Sequence, residues 1–488
     1  MARPHPAWWS FLGGMALYFF AGSSVVIGDF TRQLRQSTGL DQSTLTLTIS
    51  CGFVGYLAVF GGVAVGHWGA RAAVLCSAAM MSGGYLLVYL ATLGIVPRTP
   101  FAITMFYGLA IQGQYWQLVS GAALLAASFP RQAGLAGGIV ECSFGAAPAL
   151  WAVLKDGFVP DEAGTPGVPV FGFMAAVVAA TTMALAPCGL REDRPYLAEM
   201  RSFAGFYAMQ GIWVVILCLL LVSQVVPSLG ARRLAACTVA LLTAFLAAPL
   251  IGARSEARGG AGKEALLPTG EHAEERGPSS FQELRPREAC GNGVFWSLLL
   301  SICLPLGVCY SLTQNIGAVV AHVQADGVGE LTSSVEIVAS VASGVAALVG
   351  GSASDALVRR VPRPWWLAAG SASVACGNLV MLARPDIVGV YVGFTLCLFG
   401  FALLWATFMA CVNELLGSSS YPIFFGFFNF VYSVLQLGLN TCVWVPAFQA
   451  SGEYSHAFMV YACVCFASAL VALMLGWTVR GFYSAMPE

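Results

Sequence analysis

The feature that most constrains this chain is repetition: apolar runs of about 20 residues recur along its whole length. A helix of that length crosses the hydrocarbon core of a bilayer, with every backbone hydrogen bond satisfied inside the helix. Charged residues make up only 10% of the chain and hydrophobic ones 58%, whereas soluble domains carry about 25% charged residues. The pattern predicts an all-α polytopic membrane protein. A β-barrel would need shorter segments of alternating polarity, and the sequence has none.

Fourteen spans are expected. Six fall at about 8–28, 44–66, 72–95, 101–127, 133–154 and 168–187. Two follow at about 204–227 and 233–251, and six more at about 293–320, 332–351, 365–383, 387–411, 421–443 and 456–478. Between the second and third groups lies a stretch rich in Gly, Glu, Arg and Pro, with little to bury. The expected division is a first six-helix lobe (1–190), two additional helices (191–252), a disordered cytoplasmic linker (253–292) and a second six-helix lobe (293–488). Two six-helix lobes around a central route is the plan of a secondary transporter.

With the N-terminus in the cytoplasm, 16 of the 23 basic residues fall in cytoplasmic segments. An even span count returns the C-terminus to the same side. The basic pair Arg232–Arg233 fits this orientation poorly, which makes the seventh and eighth spans the least secure.

The fourth span carries an unusual load, Ala110-Ile-Gln112-Gly-Gln114-Tyr115-Trp116-Gln117. Unpaired amides are costly in hydrocarbon, so this helix must face the interior of a bundle or a wet route. Gln114 and Gln117 lie one turn apart on one face, while Gln112 points elsewhere. The pair is a candidate for binding a small polar solute, or else ties the span to its neighbours. Trp116 adds a flat apolar wall with one donor. In the fifth span Glu141 shares a stripe with Gly134, Gly137, Gly138 and Gly145. Small residues mark a helix-packing face, so Glu141 is expected inside the bundle. Desolvation there disfavours its charged form. It is the candidate for proton coupling, the alternative being a structural carboxyl.

The first span of the second lobe carries Pro305 and Gly307, followed by Gln314 and Asn315 on the expected pathway. Glu336 shares a stripe with Ser340 and Ser343, near enough to the interface for solvation to explain it. Asn378, Asn429, Gln436 and Asn440 are further polar points. Asp41 and Ser43 are expected to cap the second span. Asp29, Arg32 and Arg35 read as a solvated loop.

Other chemistries find little support. The 15 cysteines sit mostly in apolar runs, with no CxxC and one CxC at Cys463 and Cys465. The five histidines fall into no metal-ligand spacing, and no phosphate-binding GxxxxGK[ST] loop occurs. No enzyme activity, cofactor or resident metal is expected. A net charge of −1 offers nothing to nucleic acid. The expected partners are the lipid bilayer and a small-molecule substrate, with the chain a monomer.

Two turns carry a family resemblance. Gly62-Val-Ala-Val-Gly66-His67-Trp68-Gly69-Ala70-Arg71 resembles a worn copy of the signature of the major facilitator superfamily, with Gly66 where the aspartate belongs. Gly351-Ser-Ala-Ser-Asp355-Ala-Leu-Val-Arg359-Arg360 resembles a fuller copy in the second lobe. The resemblance implies a cytoplasmic lock on Gly62, Gly69, Arg71, Gly351, Asp355 and Arg359. A finer resemblance, to the nodulin-like branch, rests on Leu40-Asp41-Gln42-Ser43-Thr44-Leu45, Gly84-Tyr85-Leu86-Leu87-Val88-Tyr89, Gln112-Gly113-Gln114-Tyr115-Trp116, Phe129-Pro130 with Gly134, Asn315-Ile316-Gly317 and Ser354-Asp355. That branch usually has a basic residue near Ala133 and a lysine at the position of Glu141. The resemblance implies secondary transport, as symport, of a small organic anion such as a monocarboxylate. An iron or other metal species is the rival substrate, and a non-transporting receptor or sensor the rival class.

Overall fold

The computed structural model describes residues 6–26, 34–35, 37–129, 132–158, 204–225, 231–245, 280–324, 328–418, 420–447 and 454–485. Among them every regular element is helical. Nine helices of the described residues are long and apolar enough to cross a membrane. The expected span at 168–187 and residues 253–279 of the linker lie outside the described residues.

The first lobe contains α1 (Pro6–Ala21), α2 (Gln42–Phe53), α3 (Ala58–Thr92), α4 (Pro100–Ser128) and α5 (Ala133–Phe158). Asp41 caps α2, its carboxylate accepting from the Thr44 amide at 3.1 Å. Ser43 does not cap; its hydroxyl donates to Asp41 instead. Thr99 caps α4 and Pro100 occupies its first turn.

The second and third expected spans differ from a simple pair. The second breaks at residues 54–57 and resumes as the start of α3. The chain then turns at Gly69, whose φ of 82° favours glycine. Gly52 faces Tyr107 and Gly61 faces Trp116, so this span runs alongside α4 in the same direction. Gly113 faces Ser77 and Met81, and Gly84 faces Ala110, so the rest of α3 runs the opposite way. Gly69 is therefore the hairpin between two antiparallel spans. α4 is long enough to cross a membrane but is not one of the nine apolar candidates. Its central stretch is buried inside the lobe instead.

The additional helices are α6 (Ala204–Val225) and α7 (Ala231–Ala244), the latter short for a span. Gly205 of α6 sits against Trp8, and Gln210 donates to Ser352 of the second lobe at 2.7 Å. Further along, Leu217 packs on Gly344. α6 therefore touches both lobes.

The second lobe contains α8 (Gly293–Val323), α9 (Val328–Ala356), α10 (Arg363–Ala383), α11 (Ile387–Leu416), α12 (Tyr421–Leu439), α13 (Ser455–Thr478) and the short α14 (Arg480–Ser484). α8 runs as one helix through Pro305. Gly377 with Gly393, and Gly370 with Gly400, bring α10 and α11 into backbone contact.

The disordered linker expected over 253–292 needs one correction. Residues 280–292 are ordered: the Phe281 amide donates to the Glu414 carbonyl at 2.7 Å, and the Leu284 amide to that of Leu416 at 2.9 Å. Leu284 is buried, and Phe281 stacks edge-on against Phe482. Two apolar residues in a polar stretch suffice to dock this end.

The lobes meet along two seams. At one, Gly62 of α3 abuts the Pro422 carbonyl, and Gly426 of α12 abuts Ala58. At the other, α5 lies on α9, with Gly138 against Ala347, Gly351 against Gly134, and Gly145 against Ser343. Each contact is so close that a Cβ would not fit, which is why glycine stands there.

Candidate functional site

The polar load of α4 divides between two jobs. Gln112, Tyr115 and Trp116 all serve the break at 54–57. Gln112 accepts from the Leu57 amide and donates to the Val54 carbonyl, each at 2.8 Å. Tyr115 donates to the Phe53 carbonyl at 3.0 Å, and Trp116 Nε1 to the Leu57 carbonyl at 2.9 Å. From the second lobe, Ser433 Oγ accepts from the Gly55 amide at 2.8 Å. A break in a membrane helix frees backbone groups that hydrocarbon cannot satisfy, and these side chains satisfy them. Gln112 and Trp116 thus brace the second span.

Gln114 and Gln117 are fully buried, and among the described residues neither end of either amide has a hydrogen-bond partner. Gly113 marks the face of α4 toward α3, and Gly121, against Tyr18, the face toward α1. Helix geometry puts Gln117 between those faces and Gln114 over α1. The pair sits within the first lobe, away from both seams.

Glu141 sits at the lobe seam. Gly137 and Phe144, about one turn to either side, face α11: Gly137 meets Met409, and Phe144 lies 6.2 Å from Trp405 between ring centres. Gly138 and Gly145 face α9. Glu141 lies between these faces, aimed at the crease between two helices of the other lobe. The small-residue stripe expected to meet another helix meets the second lobe. Glu141 is 2% exposed, and its Oε1 has no hydrogen-bond partner among the described residues. Within electrostatic reach are three tyrosines: Tyr18, Tyr310 and Tyr421. Tyr18 bridges the lobes, its hydroxyl meeting the Leu118 carbonyl at 3.3 Å and Met409 Sδ at 3.4 Å.

Two turns along α5 lies an ionic network. Asp355, at the end of α9, accepts from the Gly134 amide at 3.1 Å and the Leu135 amide at 2.6 Å. Its carboxylate thereby caps the N-terminus of a helix in the opposite lobe, where free amides and the helix dipole favour negative charge. Arg363 pairs with Asp355 at 2.7 Å and Glu414 at 2.8 Å, and donates to Ser354 at 2.9 Å. Gly351 and Asp355, expected in a lock, both meet α5; the buried cation beside Asp355 is Arg363, and Arg359 is exposed. In the first copy Gly62 makes the close contact, Gly69 makes the turn, and Arg71 is exposed. Gly66, standing where Asp355 stands in the second copy, faces open space.

About 30 Å along α8 from this end, a second polar group joins the lobes. Gln314 Oε1 accepts from Gln436 at 2.5 Å, Asn440 at 3.1 Å and Ser50 of the first lobe at 3.3 Å. Asn440 also donates to Ser50 at 2.7 Å, and Asn315 donates to Asn440 at 3.1 Å. Ser311 bonds to Asn440 and Tyr461. Asn440 opens a π-helical turn, Asn440–Trp444, a distortion frequent at functional sites. Asn378 and Asn429 donate to carbonyls one turn back in their own helices, so they are structural amides. Glu336 is buried, not solvated as expected.

The sequence profile described as Major Facilitator Superfamily matches residues 10–439. No curated protein sequence matches the chain. Among solved structures it is similar to the proton:xylose symporter XylE bound to 6-bromo-6-deoxy-D-glucose, with TM-score 0.62, 11% identity and coverage of 97% of this chain and 94% of that one. A partially occluded inward-open XylE from E. coli gives TM-score 0.55 at 12% identity, covering 97% and 96%. The transporter FucP in its outward conformation gives 0.50 at 13%, covering 96% and 98%. At such identities the likeness shows the fold, and the profile match over most of the chain shows the family. The chain is a multi-pass membrane protein and belongs to the major facilitator superfamily of transporters.

Proposed function

We propose that the protein is a secondary transporter that moves a small solute between its lobes by alternating access, with Glu141 as the proton-coupling group. One observation carries this reading: Glu141 lies at the lobe seam between two separate closures. Asp355 closes the lobes toward one end, and the group of Ser50, Gln314, Gln436 and Asn440 toward the other. A group shielded on both sides by distinct breakable contacts is what alternating access requires.

The resemblance to the nodulin-like branch favours a small organic anion, or an iron or other metal species. The buried charged side chains of the described residues are Glu141, Glu336, Glu414 and Arg363, and Arg363 is engaged by Asp355 and Glu414. That charge pattern lends the anion no support. The orientation with both termini in the cytoplasm, which the basic-residue count favours, makes the Asp355 end cytoplasmic.

The test is uptake into vesicles reconstituted with purified protein under an imposed pH gradient. The reading expects gradient-driven flux in the wild type and gradient-independent flux in Glu141→Gln. Ligand binding with no flux of any solute would favour a receptor.

A further inference from the structure

A chain of rings from both lobes starts at Phe144, about one turn along α5 from Glu141. Phe144 of the first lobe lies 6.3 Å from Phe401 and 6.2 Å from Trp405. Tyr310 lies 5.2 Å from Phe401 and stacks on Tyr432 at 5.0 Å, with the planes 5° apart. Trp405 stands edge-on to Tyr432 at 5.9 Å. All of these rings are buried. Two polar atoms here are buried with no hydrogen-bond partner among the described residues: Glu141 Oε1 and Trp405 Nε1. Buried polar groups are rarely left so, and each such group calls for an explanation.

The chemistry of the set is one-sided. Aromatic faces carry negative quadrupole potential and attract cations, more strongly when water is excluded. The only charge-bearing acid or base on this face of α5, among the described residues, is a carboxyl. The titratable groups facing it are Tyr18 from α1, Tyr310 from α8 and Tyr421 from α12; α9 presents Ser343 and Ala347, and α11 presents Trp405 and Met409. The other charged groups on these helices are Glu336, two turns from Ser343 along α9, and the set two turns along α5 in which Arg363 holds both Asp355 and Glu414.

We infer that the seam around Glu141 is the binding site for a small organic cation, an amine whose ammonium meets the Glu141 carboxylate while its apolar body lies against Phe144, Phe401, Trp405 and Tyr432. This rests on reading the seam as the substrate route. Parting the lobes separates Phe144 and Glu141 from the rings of α8, α11 and α12, and opens the space for the ligand. An anion meets repulsion from the carboxylate and from the ring faces. One carboxylate cannot hold a proton and an ammonium together, so the two compete. Coupling through Glu141 is then exchange of amine for proton, in place of the symport expected from the sequence.

The test uses three probes of one shape and different charge: phenethylamine, phenethyl alcohol and phenylacetate. Each is added to the purified full chain, and thermal stabilisation gives an affinity. Phenethylamine is expected to bind tightest and phenylacetate weakest, with the amine weakening as pH falls. Glu141→Gln should cost the amine at least about tenfold in Kd and leave the alcohol unchanged. Trp405→Phe should weaken the amine as well, and serves if Glu141→Gln does not fold. The inference is overturned if phenylacetate binds as well as the amine, if Glu141→Gln leaves amine affinity intact, or if no probe stabilises the protein. Amine binding without flux in vesicles would sink the transport reading and leave the site standing. Carboxylate flux without amine binding would do the reverse.

Discussion

Gln112 accepts a hydrogen bond from the Leu57 amide at 2.8 Å, and its other amide end closes on Val54. One side chain of α4 thus spans a break in the neighbouring span. Replacing it strands a backbone donor and a backbone acceptor, each costing about 1–3 kcal/mol when buried. Gln112→Leu is expected to lower the melting temperature of the purified protein. Gln112→Glu, which keeps an acceptor for Leu57, should lower it less. Equal melting of Gln112→Leu and wild type would remove the brace from the account.

Arg363 is the only described partner shared by Asp355 and Glu414. Its loss leaves two carboxylates facing each other inside the protein. Arg363→Leu should destabilise by about 3–5 kcal/mol, since a buried charge without its partner is worse than no charge. The triple variant Asp355→Asn/Arg363→Leu/Glu414→Gln should recover much of that in an unfolding assay.

Gly66→Asp tests the worn copy of the signature. Gly66 is one turn beyond Gly62, which abuts Pro422 at the start of α12, and has open space around it. An aspartate there lies by the N-terminus of α12, where the helix dipole favours negative charge. It should stabilise the closed Asp355 end by about 0.3–1 kcal/mol beyond Gly66→Ala, the control for helix propensity. Slower uptake with a higher melting temperature is the expected pairing.

Gln114→Leu and Gln117→Leu should leave the melting temperature unchanged or raise it, because their amides have no partners to lose. A loss of uptake in either variant, with stability retained, would put that residue on the solute route.

Two caps outside the membrane predict a pH effect. Ser43 and the Thr44 amide hold the Asp41 carboxyl well below the usual range, and the Gly389 amide, aided by Arg384, lowers that of Asp386. Carboxyls depressed by folding stabilise fully above the unfolded value of about 3.9, and lose that contribution as pH falls through their folded values. The melting difference between wild type and Asp41→Asn/Asp386→Asn should therefore shrink on acidification.

The described spans and the glycine stripe of α5 were legible in the sequence because each leaves a local periodic mark, and Asp355 stood out through the resemblance to the family signature. The break at 54–57 was not: Val54, Gly55, Tyr56 and Leu57 read as continuous apolar helix. Its signature sits 55 residues away, in Gln112. Gln112, the amide that points away from the candidate pair, is the trace of a broken neighbour. Arg363 was hidden among Arg359 and Arg360, since only the fold decides which of three nearby arginines turns inward. Tyr18 stood in an aromatic run with nothing to mark it as the residue that would touch Met409 in the other lobe.

The two seams at the Asp355 end are fastened differently, by an ionic network between α5 and α9 and by bare backbone contact between α3 and α12. Separation should begin where no charge must be uncovered, along Gly62 and Pro422. The opening is then a wedge, with α5 and α9 near its hinge line, and a solute would enter from the α3–α12 flank. Spin-label pairs across each seam would detect this as unequal distance changes; equal changes would mean that the lobes part evenly.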